Sequence, residues 1–422
     1  MTTPKVHTLP NGVRVVCDRM PGLETVALSV VAGRGARFED KARSGWSHLL
    51  EHMVFKGAGA RSARDIVEVI ENEGGNLNAA TGYERTSFQV RALKGGMDLG
   101  MAVVADLLLR PTLDAEDLEK EKQVIGQEIA EAADTPDDLV FDLVQGAAWG
   151  DTGLGRPILG TDASLAPATP SAVSEWRAAL YAADALVVSA AGAADEAELL
   201  NLAEREFGGM PNTAGAPVTA TPTFEGGHIE NPKRLEQAHL VLLLPAFGAR
   251  DPDYFVLRLF AEVLGGGMSS RLFQEVRENR GLAYAIDAYA DTYSDVGVLG
   301  VYAGCAAKDA AEAAKVTAGQ IADLAQRIEP IELSRAKAQL KASMFMGREQ
   351  PLSRAEQAAG QTLLFGKTLS ASEIGAAIDA VEAGDIARVG ARLLGSGKCA
   401  TAVLGAKGAM KAGRAFEAGL FA

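Results

Sequence analysis

Cysteine is scarce in this chain. Its 422 residues hold three, Cys17, Cys305 and Cys399, far apart and odd in number. They form no CxxC pair and no disulfide framework, which fits a reducing compartment. Positive charge is also short, and the formal net charge is −14. A protein that grips phosphates needs the opposite balance, so nucleic acid is excluded as the main partner. An acidic surface is compatible with basic ligands, but more often it serves solubility. No stretch approaches the ~18 uncharged apolar residues of a membrane span. The longest apolar strand, His239 to Phe247, is too short. The opening residues MTTPKVHTLPNG show no basic region followed by an apolar core, so no secretory signal is expected. These absences lead us to expect a cytoplasmic protein with no membrane partner.

What is present is ordinary globular material: 48% hydrophobic and 23% charged residues. The length suits two domains and allows a large core without staples. The pattern of strands and helices runs twice. Extended runs at Val13–Cys17 and Val26–Ala32, helical stretches at Ser44–Phe55 and from Ser62, strands through Asn78 and Thr86–Arg91, and long helices across 97–148 make the first half. The second repeats this order, from a strand at Ala238–Leu244 to a last strand at Ala400–Leu404. Residues 211–232 are rich in Pro, Thr and Gly without periodicity and read as a linker. We therefore expect an α+β protein of two homologous domains, 1–210 and 233–422, each a mixed or antiparallel sheet with helices packed on it.

The chemical signal is His48-Leu-Leu-Glu51-His52. On a helix, positions i, i+3 and i+4 share one face, so His48, Glu51 and His52 project together. Leu49, Leu50, Met53, Val54 and Phe55 supply the surface that buries the helix. Two imidazoles one turn apart can grip a single Zn²⁺, and a catalytic zinc usually takes three protein ligands and leaves a place for water. The carboxylate between the histidines is then a general base for that water, whose pKa the metal lowers towards ~7. Manganese or cobalt would suit the same donors.

HxxEH is the inverted zinc motif. With it, the chain resembles the pitrilysin–insulysin family of zinc peptidases, in its processing-peptidase branch of half-length chains. The resemblance runs from Leu9-Pro-Asn-Gly12 to the last strand, through Phe141–Val144 and Gly153–Gly160. It implies a third ligand about 76 residues after the second histidine, at Glu128. Residues 114–138 hold ten acids against two lysines, so the offset rather than the acidity selects it. It also implies a supporting carboxylate at Glu121, two helical turns earlier. In Gly75–Thr86 it implies that Asn78 and Ala79 bind an extended substrate by strand addition, although Ala80 stands where the family commonly has an aromatic residue. In Gly265–Tyr284 it implies that Arg277 and Tyr284 contact bound substrate and can donate to a carbonyl or developing oxyanion. The Gly265–Gly267 triplet lacks the Gly-Lys-Ser/Thr of a phosphate loop.

Family architecture further implies that the chain is half of a clamshell, completed by a homodimer around a closed chamber that admits unfolded peptides. Arg277 and Tyr284 of one subunit would then serve the zinc of the other. Two rival readings stand beside the zinc metalloendopeptidase: a noncatalytic or peptide-binding subunit of a processing complex, and a binding module with structural zinc. The last would need a fourth protein ligand, and none is evident in the sequence.

Overall fold

The computed structural model describes residues 3–211, 219 and 221–421. Most of the expected linker, 212–218 and 220, lies outside the described residues. The chain forms two compact units: Met1–Ala130 with Pro157–Ala220 and Phe345–Ser370, and Glu131–Arg156 with Thr221–Met344 and Ala371–Ala422.

The first unit is built on a six-stranded sheet. Its strands are β1 (Val6–Thr8), β2 (Arg14–Arg19), β3 (Thr25–Ala32), β4 (Asn76–Thr81), β5 (Thr86–Leu93) and β6 (Leu186–Gly192). They lie in the order β1-β2-β6-β3-β5-β4. Only β2 and β6 run parallel, so the sheet is mixed. In β3 the apolar run is continuous because both faces are covered. Val26, Leu28 and Val30 enter the main core with Leu49, Leu50, Met53 and Phe88, while Val31 joins Val16 and Val187 in a smaller cluster on the other face. That second face is closed by Ala358 and Ala359, of the helix Pro351–Phe365. The helix is also tied to β2 by a buried bidentate ion pair, Arg354 Nε to Asp18 Oδ2 at 2.7 Å and Nη2 to Oδ1 at 2.5 Å.

The second unit holds a five-stranded sheet of β7 (Gly227–Pro232), β8 (Ala238–Phe247), β9 (Ala283–Thr292), β10 (Val296–Cys305) and β11 (Ala400–Gly405). Read as β7-β11-β8-β10-β9, it repeats β2-β6-β3-β5-β4 of the first, including one parallel pair, β7 with β11. The helix Pro136–Trp149 packs against β8 and β11, the counterpart of Pro351–Phe365 in the other unit. Each linear half thus contributes a helix to the unit built mainly from the other half, and the compact units differ from the linear division 1–210 and 233–422 by that exchange. A helix that closes a sheet face need only be apolar on one side, so its sequence does not say which sheet it closes.

Local differences from the expectations are small. Strand β7 falls inside the expected linker: GHIENP carries a single large apolar residue, and parallel pairing with β11 makes it a strand. The expected helix Ser270–Glu278 adopts π-type winding over Phe273–Asn279.

Candidate metal centre

The site is assembled on helix α1 (Trp46–Val54) and helix α2 (Ala115–Asp134), beside the edge strand β4. Helix α1 begins at Gly45, whose φ of 87° is left-handed and whose Cβ position would meet Leu159 O at 2.5 Å. Glycine is required there. The buried Glu39 carboxylate accepts from the backbone N–H of Gly45 and of Ser47, each at 2.7 Å. It satisfies orphan donors and places a negative charge at the positive end of the helix. The Trp46 indole donates to Ser164 O at 2.9 Å, and Trp46, Leu49, Leu50, Met53 and Val54 are buried. The apolar stripe leaves His48, Glu51 and His52 on the remaining face. In α2, Leu118, Glu121 and Ile125 are buried. Glu128 continues this stripe at helical spacing.

Ligand atoms of His48, His52 and Glu128 all lie within 4.8 Å of one another. His48 Nε2 is 3.9 Å from Glu128 Oε2, and His52 Nε2 is 3.7 Å from Glu128 Oε1. These gaps are too long for hydrogen bonds. They are close to the roughly 3.3–3.6 Å between ligands of a tetrahedral zinc with bonds of ~2.0–2.2 Å. Burial, helped by neighbouring His52, pushes the His48 imidazole down to about 4, so it is neutral at pH 7 with a lone pair to give. The donor set fits zinc.

Glu51 stands beside this group without belonging to it. Its Oε2 accepts from Thr81 Oγ1 at 2.5 Å. Burial raises its pKa, against a smaller opposing effect of that bond. Behind the histidines, Glu121 Oε2 is 2.9 Å from His52 Nδ1 and Glu121 Oε1 is 2.6 Å from Lys56 Nζ. Burial would raise the Glu121 carboxyl, but the bonds from Lys56 and His52 outweigh it and hold it below its ordinary value. A cavity of about 290 Å³ is lined by Glu51, His52, Lys56, Glu121 and, on β4, Asn78 and Ala79. Asn78 is exposed and Ala79 half-buried on this edge strand.

Arg277 and Tyr284 belong to the second unit. The Arg277 guanidinium lies over the Phe273 ring at 4.6 Å, and Tyr284 is 64% exposed at the start of β9. Sequence reasoning missed Lys56 and Thr81. Lys56 carried a signal, since it follows His52 at i+4. Thr81 carried none, because its partner is distant in sequence.

A His-x-x-Glu-His face set against a glutamate of a second helix, beside an open sheet edge, is the signature of the inverted-motif metallopeptidase class. Residues 14–162 match the family model described as Insulinase (Peptidase family M16), and residues 167–340 match that of the Peptidase M16 inactive domain. The chain belongs to peptidase family M16. It is 35% identical over 407 residues to a Rickettsia bellii protein called an uncharacterized zinc protease, covering 95% of this chain and 97% of that relative. A Bacillus subtilis protein of the same description is 35% identical over 371 residues, covering 88% of this chain and 90% of its own. Among solved structures, a protease from Helicobacter pylori superposes with a TM-score of 0.89 at 20% identity, covering 96% of this chain and all of its own. A chain of complex III2 from Candida albicans gives 0.86 at 20% identity and covers 99% of both. These two likenesses show a shared fold.

Proposed function

We propose that this chain is a zinc endopeptidase that hydrolyses extended or unfolded peptides, with Glu51 as its general base. One observation carries the reading: His48, His52 and Glu128 present converging donors, while the carboxylate of Glu51 shares the α1 face of the two histidines outside the donor group. His48, His52 and Glu128 would hold the zinc. When bound, the metal supplies Lewis acidity, polarising a carbonyl and lowering the pKa of water. Glu51 takes the proton of the attacking water and returns it to the leaving amine. A carboxylate with a burial-raised pKa is suited to both transfers. The peptide adds as a strand to the edge of β4 at Asn78 and Ala79, held by main-chain hydrogen bonds.

Arg277 and Tyr284 donate to the carbonyl side of the substrate, and in our reading they come from a second copy of the chain in a homodimer. Family resemblance supports this arrangement. Mixing a His48→Ala chain with a Tyr284→Phe chain should then restore activity. The three unpaired cysteines support a reducing, cytoplasmic setting. Among the described residues no helix is long and apolar enough to cross a membrane.

The test is cleavage of a quenched fluorescent peptide rich in basic and apolar residues. Cleavage should vanish on metal removal and return with zinc. Zinc binding without cleavage by the homodimer would favour the noncatalytic-subunit reading instead.

A further inference from the structure

The two imidazoles of the metal group are not supported alike. Among the described residues, His48 Nδ1 is buried without a hydrogen-bond partner. His52 Nδ1 faces Glu121 Oε2 at 2.9 Å, and the other Glu121 oxygen faces Lys56 Nζ at 2.6 Å. The ammonium and the imidazole use different oxygens, so they do not compete. The Glu121 side chain is 6% exposed and that of Lys56 34%. A carboxylate that deep needs a counter-charge or full hydrogen bonding to remain in place. Lys56 supplies the counter-charge, and it stands just beyond the end of α1, one helical turn after His52.

We infer that Lys56 is a positioning residue for the metal. By pinning Glu121, it fixes the His52 ring with its Nε2 lone pair turned toward Glu128. The inference rests on the metal site described above, but its readout is metal affinity rather than turnover. His52 is the oriented ligand of the pair, and Lys56 acts on the site only through Glu121.

The experiment measures zinc dissociation constants by chelator competition for the full chain and its variants. Lys56→Met should weaken zinc binding on the order of 10–100-fold, the usual effect of losing support behind a ligand. Lys56→Arg, which keeps the charge, should recover most of the loss, and Lys56→Gln serves should the methionine variant fail to fold. The double variant Lys56→Met/Glu121→Gln should bind zinc no more weakly than Glu121→Gln alone, because the two residues act in series. Wild-type affinity in Lys56→Met, or losses that add in the double variant, would overturn the inference. A wild type that binds zinc tightly yet cleaves no peptide would overturn the peptidase reading, while the affinities still decide the role of Lys56. A wild type that binds no zinc overturns both.

Discussion

Replacing Glu51 by Gln separates the proposed base from the metal group. The glutamine side chain has nearly the same shape and can still accept from Thr81 Oγ1, which lies 2.5 Å from Glu51 Oε2. Glu51 is outside the His48, His52 and Glu128 group, so zinc should bind to the variant as to the wild type. What is lost is the capacity to take a proton. General acid–base catalysis contributes about 10²–10⁴ in rate, which at ~1.4 kcal/mol per tenfold is roughly 3–6 kcal/mol of barrier. The assay is peptide cleavage under saturating zinc, with kcat and KM separated and bound metal counted on each sample. We expect kcat to fall by about that factor, with KM little changed and zinc content equal. A Glu51→Gln enzyme within about tenfold of wild-type kcat would refute the assignment of the base. Loss of zinc from that variant would refute the separation of base from ligands.

Further outcomes follow from two contacts described above, Thr81 with Glu51 and Arg354 with Asp18. The base works when ionised, so activity should rise as pH rises through an acid limb of kcat/KM set by Glu51, whose pKa burial raises and the charge of a bound metal lowers. The Thr81 hydroxyl opposes the upward shift, so Thr81→Val should move the limb to higher pH; an unmoved or lowered limb would contradict the role given to this bond. In the first unit, Arg354→Met leaves Asp18 buried and unpaired, which should cost about 3–5 kcal/mol in denaturant unfolding. The double change Asp18→Leu/Arg354→Met should recover most of this, and a double variant as unstable as the single one would show that the helix Pro351–Phe365 is held by other means.

The centre was largely legible because its information is local. His48, Glu51 and His52 fall on one face by helical spacing alone, and Glu128 and Glu121 share a stripe of α2 with Leu118 and Ile125. Family offset, rather than chemistry, picked Glu128 from an acid-rich helix. The repeated succession of strands and helices was legible along the chain; the order of the strands within each sheet was not. What stayed hidden depends on distant pairing. Thr81 and Glu51 meet only because β4 lies beside α1. Strand β7 exists because β11 offers it a parallel edge. The exchange of Pro136–Trp149 and Pro351–Phe365 between units left no mark on either helix, since each shows only one apolar face.

That exchange sets a timetable for synthesis. The first unit has its sheet and the two helices of the candidate metal centre by residue 210, yet Val16, Val31 and Val187 stay uncovered until Ala358 and Ala359 arrive. At about 5–20 residues per second, a ribosome needs roughly 7–30 s to deliver them. Throughout that interval the nascent chain carries an exposed apolar sheet face and the uncompensated charge of Asp18. That interval closes when the helix Pro351–Phe365 leaves the exit tunnel and can cover the face.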